Sequence, residues 1–397
     1  MVETHLPAAT WTRRADLAAL VTALDPAGEG LVRYVGGAVR DTLLGIAVKD
    51  IDMATPLEPT AVIARLDGAG IRNVPTGLAH GTVTAVLAGG PVEITTLRRD
   101  VSTDGRHATV AFSQSWQDDA ARRDFTINAL YADPGDLSVH DYFGGLADLA
   151  ARRLRFIGDA GQRIREDYLR ILRYFRFQAR FGSLPADAAA ETACSALAPG
   201  LKGLSRERIA SELLGLLALP DPATTVARMA ELGVLAVILP EADPAALPPL
   251  IAAETARGKA PEALRRLAAL LPADPPLAEQ IAARLRLSIA QRKHLALVAA
   301  RKVPDANPRR LAYIVGREAA IDRLLITGGD TTALLDWDIP QFPLKGGMIV
   351  ARGVSAGPEV ARILRTVETQ WIHENFPDEA RVTALLDAAI SGRSGSV

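Results

Sequence analysis

A Gly-Gly turn, an arginine and two alternating aspartates occupy one short stretch of this chain, YVGGAVRDTLLGIAVKDIDMAT from Tyr34 to Thr55. Together they outline a site for a nucleoside triphosphate. Gly36 and Gly37 lack Cβ atoms, so the backbone there can approach a phosphate chain and aim N–H groups at it, with Arg40 adding a cationic fork. A strand over Lys49 to Ala54 would set Asp50 and Asp52 on one face and turn Ile51 into the core. Two carboxylates so placed suit a divalent metal, and Mg2+ bridging them to a triphosphate is the two-metal logic of nucleotidyl transfer. Either piece alone is common, as a solvated strand end or a plain turn. Further along, Thr82 to Leu87 and Val92 to Thr95 alternate around Ala88-Gly89-Gly90-Pro91, which predicts a β-hairpin. Val92 and Ile94 share one side of it. Glu93 falls on the other, where a neighbouring strand could bring Asp50 and Asp52; otherwise it is an exposed strand glutamate.

Two more clusters carry chemistry. In RRDFTINAL, Arg122 to Leu130, Asp124 can cap a helix that carries Phe125 and Leu130 inward, with Asn128 one turn later. Paired Arg122 and Arg123 beside a capping acid suit a ribose and phosphates better than open solvent. The run Gly158 to Phe181 predicts a single helix, with Leu169, Leu172 and Phe175 as its buried stripe and Asp167, Arg170 and Tyr174 on another face. Nine arginines between Arg152 and Arg180 face only three acids. Arg173 and Arg176 among them, interleaved with aromatic residues, fit a nucleotide or RNA surface. Within it, Asp167 and Arg170 can be read chemically. Cytosine and adenine each show an exocyclic amine beside a ring-nitrogen acceptor, whereas uracil and guanine show a carbonyl beside an N–H. A carboxylate accepts and a guanidinium only donates, so the pair matches C and A and mismatches U and G. The plain alternative is an i,i+3 salt bridge.

These segments resemble the class II CCA-adding tRNA nucleotidyltransferases and bacterial poly(A) polymerases, which extend RNA 3′ ends without a template. The resemblance rests on Tyr34 to Thr55, VEITTLR around Glu93, RRDFTINAL and the E-D-x-x-R core Glu166-Asp167 with Arg170. It implies catalytic and metal-binding roles for Asp50 and Asp52, assistance from Glu93, sugar contacts by Arg123 and Asp124, and base selection by Asp167 and Arg170. Nucleotide binding would also draw on Gly36, Gly37, Arg40, Asn128, Arg173 and Arg176. The implied partners are the tRNA 3′ end, with its acceptor stem and upper arm, and CTP and ATP with Mg2+. Asp141 to Leu146 is similar to the family's linker segment, and as plain sequence is a Gly-bearing turn. Ser205-Arg206-Glu207-Arg208-Ile209 with Glu212 is similar to the last family motif; Ser205 is a natural N-cap, and the segment is expected to brace the nucleotide helix.

Composition bounds the rest. At 397 residues and a formal net charge of −1, the chain has room for two to four domains, and RNA binding must come from a local basic surface. One cysteine, Cys194, excludes a disulfide framework and a cysteine zinc site. The N-terminus has no apolar core and no run reaches transmembrane length, so the expectation is a soluble, cytoplasmic protein. Strand signals are confined to the first third, which predicts an α+β fold: a nucleotidyltransferase head with a small mixed sheet, then an all-helical remainder. The expected divisions are a catalytic head over 1–150, a helical neck with the nucleotide-selecting helix over 151–220, a helical body over 221–303 and a tRNA-binding tail over 304–397. In that tail, Gly353 to Pro358 precedes a helix through Val360 and Leu364, making an anion-accepting N-terminus or ordinary packing punctuation. No His-Asp pair stands in sequence in this half, which argues against an appended phosphohydrolase domain.

The leading expectation is full addition of C, C and A. Thr76 to Thr82, TGLAHGT, is similar to the CCA-adding form, whereas the poly(A) polymerases usually carry an arginine-rich segment there; His80 could equally be structural. Enzymes adding only CC or only A stay open, and the polar stretch Arg98 to Asp119, expected to be a mobile loop over the site, bears on that choice. An inactive RNA-binding protein is opposed by the intact acids. A small-molecule nucleotidyltransferase is opposed by the extent of the arginine helix.

Overall fold

The computed structural model describes residues 4–103, 108–302 and 307–391. It divides into two compact units, Met1–Pro240 and Glu241–Val397. The expected break at Leu219 to Pro222 is a link between the helices Arg206–Leu217 and Ala223–Glu231, inside the first unit.

The first unit carries every strand among the described residues: β1 (Arg33–Val35), β2 (Ile51–Thr55), β3 (Asn73–Gly77), β4 (Thr82–Leu87), β5 (Gly90–Thr96), β6 (Arg98–Thr103), β7 (Ala108–Phe112), β8 (Leu130–Ala132) and β9 (Val139–Asp141). Seven of them form one sheet in the order β3-β4-β5-β2-β1-β8-β9. The β2–β5 pair is parallel and its neighbours are antiparallel. The crossover runs through the helix Pro59–Gly68, whose Val62 and Leu66 are buried. β2 is central and buried at every position but Asp52, which suits its apolar Ile51, Met53 and Ala54. The β4–β5 hairpin forms as expected, with Leu87 opposite Gly90.

Four local expectations are corrected. The aspartate strand starts at Ile51, so Asp50 is the exposed residue just ahead of it. Asp124 caps no helix: the helix Trp116–Ala121 ends before it, and a 3-10 turn Thr126–Asn128 leads into β8. Instead its Oδ1 accepts from the Phe125 N–H at 2.8 Å and from Asn128 Nδ2 at 3.0 Å. That local bonding and the pairing of Leu130–Ala132 with β1 and β9 outcompete a helix. The predicted helix from Gly158 to Phe181 is two, Ala160–Glu166 and Leu169–Phe181, because Asp167 is extended (φ −154°, ψ 105°) and its side chain accepts from the Leu169 N–H at 3.0 Å. Leu169, Leu172 and Phe175 are buried as expected, but so is Tyr174, stacked on Phe156 at 5.6 Å. Finally, Arg98 to Asp119 is no open loop over its described part: β6 and β7 pair as a hairpin and the helix Trp116–Ala121 comes next. Residues 104–107 of that expected loop lie outside the described residues.

The second unit is helical among its described residues. A charged core links three of its helices. Arg265, buried on Ala263–Leu270, bonds Glu254 at 2.7 Å and Asp322 at 2.6 Å, while Arg266 holds the other oxygen of Glu254. His294 meets Asp322 at 2.8 Å. The chain therefore does hold a His-Asp pair in this half, made by residues 28 apart and invisible to a search for neighbours in sequence; the second oxygen of Asp322 is taken by Arg265. The last helices, Pro358–His373 and Glu379–Ser391, close over Ile363, Val367, Trp371, Val382 and Leu386. Pro358 stands in the first turn, as its position after Gly357 predicts. Cys194 is buried and unpaired, and no described helix is long and apolar enough to cross a membrane.

Candidate active site

A cavity of about 810 Å3 in the first unit gathers Gly36, Gly37, Arg40, Asp50, Asp52, Arg123, Asp124, Asn128, Asp167, Arg170, Arg173 and Arg176. Residues from positions 36 to 176 thus meet in one place. Arg98, Arg122, Leu169, Phe177, Arg180 and Arg208 complete the lining. Nine arginines face four aspartates there, an excess that suits a polyanion.

Its acidic end is built by the parallel pairing of β2 and β5, which sets Asp52 directly beside Glu93. Glu93 is exposed between buried Val92 and Ile94 and does not itself line the cavity. Burial first, then the charges of Glu93 and Asp50, push the Asp52 carboxyl up to about 6, against the opposing pull of Arg123. Among the described residues no side chain pairs with Asp50 or Asp52. A half-buried carboxylate with no bonded side-chain partner, next to two others, fits a hard divalent cation. No group of three metal-ligating side chains is preassembled among the described residues. A cation held here by one or two carboxylates would keep coordination positions for phosphate oxygens.

The Gly36 end depends on backbone conformation. Gly36 has φ +68° and ψ −117°, a backbone conformation that residues with a side chain rarely adopt, while a Cβ there would make only ordinary contact with Arg123 Nη1 and the Asn128 carbonyl oxygen; it is the backbone angle that calls for glycine. Arg40, one turn on, is buried rather than free. Its guanidinium donates to Asp41 and to Asn128 Oδ1 and lies over the Phe181 ring at 4.2 Å.

The helix Leu169–Phe181 presents Arg170, Arg173, Arg176 and Arg180 along one stripe while Ile171, Phe175 and Gln178 go inward. Each arginine is held by an acid. Arg173 bonds Asp124 at 2.7 Å, Arg176 bonds Glu212 at 2.6 Å and Arg180 reaches Asp41 at 3.3 Å. Despite its burial, Asp124 is held below the usual carboxylate range by Arg173 and Asn128. Asp167 and Arg170 do not pair with each other: Arg170 is clamped by Glu166 at 2.5 Å and Asp167 by Arg208 at 2.6 Å. Both thus have fixed positions on the cavity wall, and the i,i+3 salt bridge does not form. Ser205 caps the helix Arg206–Leu217. Glu212 braces Arg173 and Arg176 from it, while Arg208, expected only to brace, also lines the cavity.

Sequence reasoning placed Arg180 only within the basic run and Arg98 only in the expected loop, and missed the role of Asp119, whose carboxylate is 1% exposed and holds both Arg122 and Arg123. The available signal was its spacing, three and four residues before paired arginines on a helix end. His80 is exposed and its carbonyl accepts from Arg98 Nη1.

Residues 32–155 match the family described as "Poly A polymerase head domain", and residues 187–246 match "Probable RNA and SrmB- binding site of polymerase A". The chain is 38% identical over 360 residues to "CCA tRNA nucleotidyltransferase 1, mitochondrial" of Mus musculus, spanning 86% of this chain and 82% of that protein. Its fold is similar to that of the Bacillus stearothermophilus CCA-adding enzyme in complex with CTP, with TM-score 0.75, 24% identity and coverage of 96% and 98% of the two chains. It is also similar to that of the Thermotoga maritima CCA-adding enzyme complexed with tRNA_CCA, with TM-score 0.68, 21% identity and coverage of 96% and 98%.

Proposed function

Because this chain belongs to the CCA tRNA nucleotidyltransferase family, and is a nucleotidyltransferase on that ground, we propose that it adds C, C and A to the tRNA 3′ end from CTP and ATP with release of pyrophosphate. The observation that carries the finer reading is that a carboxylate pair suited to a cation and a fixed donor–acceptor pair suited to C and A line the same cavity.

The proposed roles come from the chemistry of each group. Asp50 and Asp52 hold Mg2+, with Glu93 adding to the negative field that attracts the cation; when bound, the cation lowers the barrier by stabilising negative charge on the phosphates. The Gly36 and Gly37 backbone and the surrounding arginines neutralise the triphosphate. Arg123 and Asp124 address the ribose, with Asn128 held for it by Arg40 and Asp124. Asp167 accepts from the exocyclic amine of C or A, and Arg170 donates to the adjacent ring nitrogen. Residues 1–150 act as the catalytic head, 151–220 as the neck that reads the base, 221–303 as the helical body and 304–397 as the tail that binds tRNA.

Incubating the chain with tRNAs ending before the first C, after one C and after CC, each with single nucleotides, tests this reading. CMP addition to the first two and AMP addition to the third is the expected pattern. Runs of A on any RNA would instead make it a poly(A) polymerase, the reading that the matched head family's description suggests. Deleting Ser102 to Ala108 is expected to leave CMP addition largely intact and stop the product at CC; normal terminal A addition by that variant would mean that the hairpin has no part in the A step.

The Asp52 carboxyl also predicts a pH dependence. Proton and cation compete for one site, so cation affinity should be flat above about pH 7 and weaken about tenfold per unit well below about 6. Titration of the full chain with MgCl2 and with MnCl2 from pH 5 to 8 checks this. In Asp52→Asn the residual affinity should lose that slope.

A further inference from the structure

Asp119 lies behind the cavity wall and is tied to three of its parts. Its Oδ1 accepts from Arg122 Nε at 2.8 Å and from the Arg98 backbone N–H at 3.4 Å, where the β6–β7 hairpin begins. Its Oδ2 accepts from Arg123 Nη2 at 3.0 Å and from the Tyr131 hydroxyl at 2.7 Å. The chain of contacts goes on, because the Arg122 carbonyl accepts from Arg170 Nη2 at 3.1 Å. The only carboxylate bonded to both Arg122 and Arg123 among the described residues is thus also two links from the base-reading arginine. Although burial opposes ionisation, Arg123 and Arg122 keep this carboxyl charged, down at about 2.

Resting on the functional reading above, we propose that Asp119 is the positioning residue that aims Arg122 and Arg123 at the bound nucleotide and, through the Arg122 backbone, fixes Arg170 against the base. Guanidiniums crowded into one cavity repel, and a buried anion at their root is what holds two of them in a single geometry. Removing that anion makes the cavity more positive. Attraction for a triphosphate then survives while orientation is lost, so the defect belongs in kcat rather than in KM.

The test is steady-state CMP addition by Asp119→Asn and Asp119→Glu, with full chains and a tRNA lacking CCA, alongside thermal melts. For Asp119→Asn, kcat should fall about 100-fold, the loss expected for reacting groups displaced by about 1 Å. KM for CTP should stay within about threefold, and use of UTP relative to CTP should rise about tenfold, as expected of a loosened base contact. Asp119→Glu, which restores the charge on a longer arm, should recover part of kcat. A kcat within about threefold of wild type in Asp119→Asn overturns the proposal. So does a loss confined to KM, or unchanged UTP discrimination. If Asp119→Asn does not fold, Asp119→Glu decides, since a displaced carboxylate should lower kcat at unchanged KM and a wild-type kcat overturns the role. Failure of the wild-type chain to add CMP would count against the functional reading itself, and is seen separately from either variant.

Discussion

Asp52→Ala is expected to abolish addition of every nucleotide while leaving the fold and RNA affinity nearly intact. The carboxylate stands beside Glu93 on a parallel strand and no described side chain is bonded to it, although Arg123 attracts it from a distance. Losing it should remove several kcal/mol of transition-state stabilisation, on the order assigned to a charge-stabilising cation. Single-turnover CMP addition measures this. A residual rate above about a tenth of wild type amounts to only about 1.4 kcal/mol and would be too much activity for a residue in that role.

The near-isosteric Asp52→Asn should be more stable than wild type without metal at neutral pH. The folded carboxyl is raised to about 6 from an ordinary value of 3.8. The native state therefore holds a proton that the unfolded chain releases between those values. The stability from Asp52 is fully present below about pH 4 and is lost as pH rises through about 6, leaving a deficit of roughly 3 kcal/mol at pH 7. Urea melts of wild type and Asp52→Asn in EDTA, at pH 5 and pH 7.5, should show the variant's advantage growing with pH. An advantage that shrinks would mean that burial and the neighbouring carboxylates do not raise the Asp52 carboxyl.

How far the sequence disclosed this site depended on the range of the interactions involved. The β4–β5 hairpin and the placement of Glu93 toward the aspartates came from period-two alternation, a local property. Cavity residues at positions 36 to 176 could be grouped because motif resemblance stands in for contact. What composition and periodicity could not show were competitions settled by tertiary partners. The Asp124 segment has helical spacing, yet Asp124 bonds Asn128 and Arg173 while Leu130–Ala132 joins the sheet. The arginine helix looked continuous across Asp167, but that aspartate accepts from the Leu169 N–H at the start of the second helix and turns to Arg208 from 41 residues away. Asp119 was passed over for the opposite reason. As one acid in a polar stretch, DDAARRD, it had nothing to mark it as buried until Tyr131 closed over it.

That separation of Asp167 from Arg170 shapes the second large effect, which concerns the base. Arg170→Ala is expected to cut the preference for CTP and ATP over UTP and GTP by about tenfold or more, since a matched pair of side-chain contacts to a base edge is worth roughly 1–3 kcal/mol of discrimination. With the guanidinium gone, the ring nitrogen of C or A loses its donor, and the N–H of U or G no longer meets another donor. Total activity should fall as well, because Arg170 also bonds Glu166 and the carbonyls of Arg163 and Arg122. Glu166→Gln separates the two effects. It removes the ionic clamp on Arg170 but keeps the donor, so it should lower rate more than selectivity. Competition assays with paired nucleotides on a tRNA lacking CCA give both numbers for each variant. Arg208→Ala probes the other half, since it frees Asp167 from its 2.6 Å partner while the acceptor for the exocyclic amine stays in place. If Arg170→Ala retains full selectivity, the Arg170–Glu166 and Asp167–Arg208 pairs are bracing alone, and the choice of base must be made by other groups on the cavity wall.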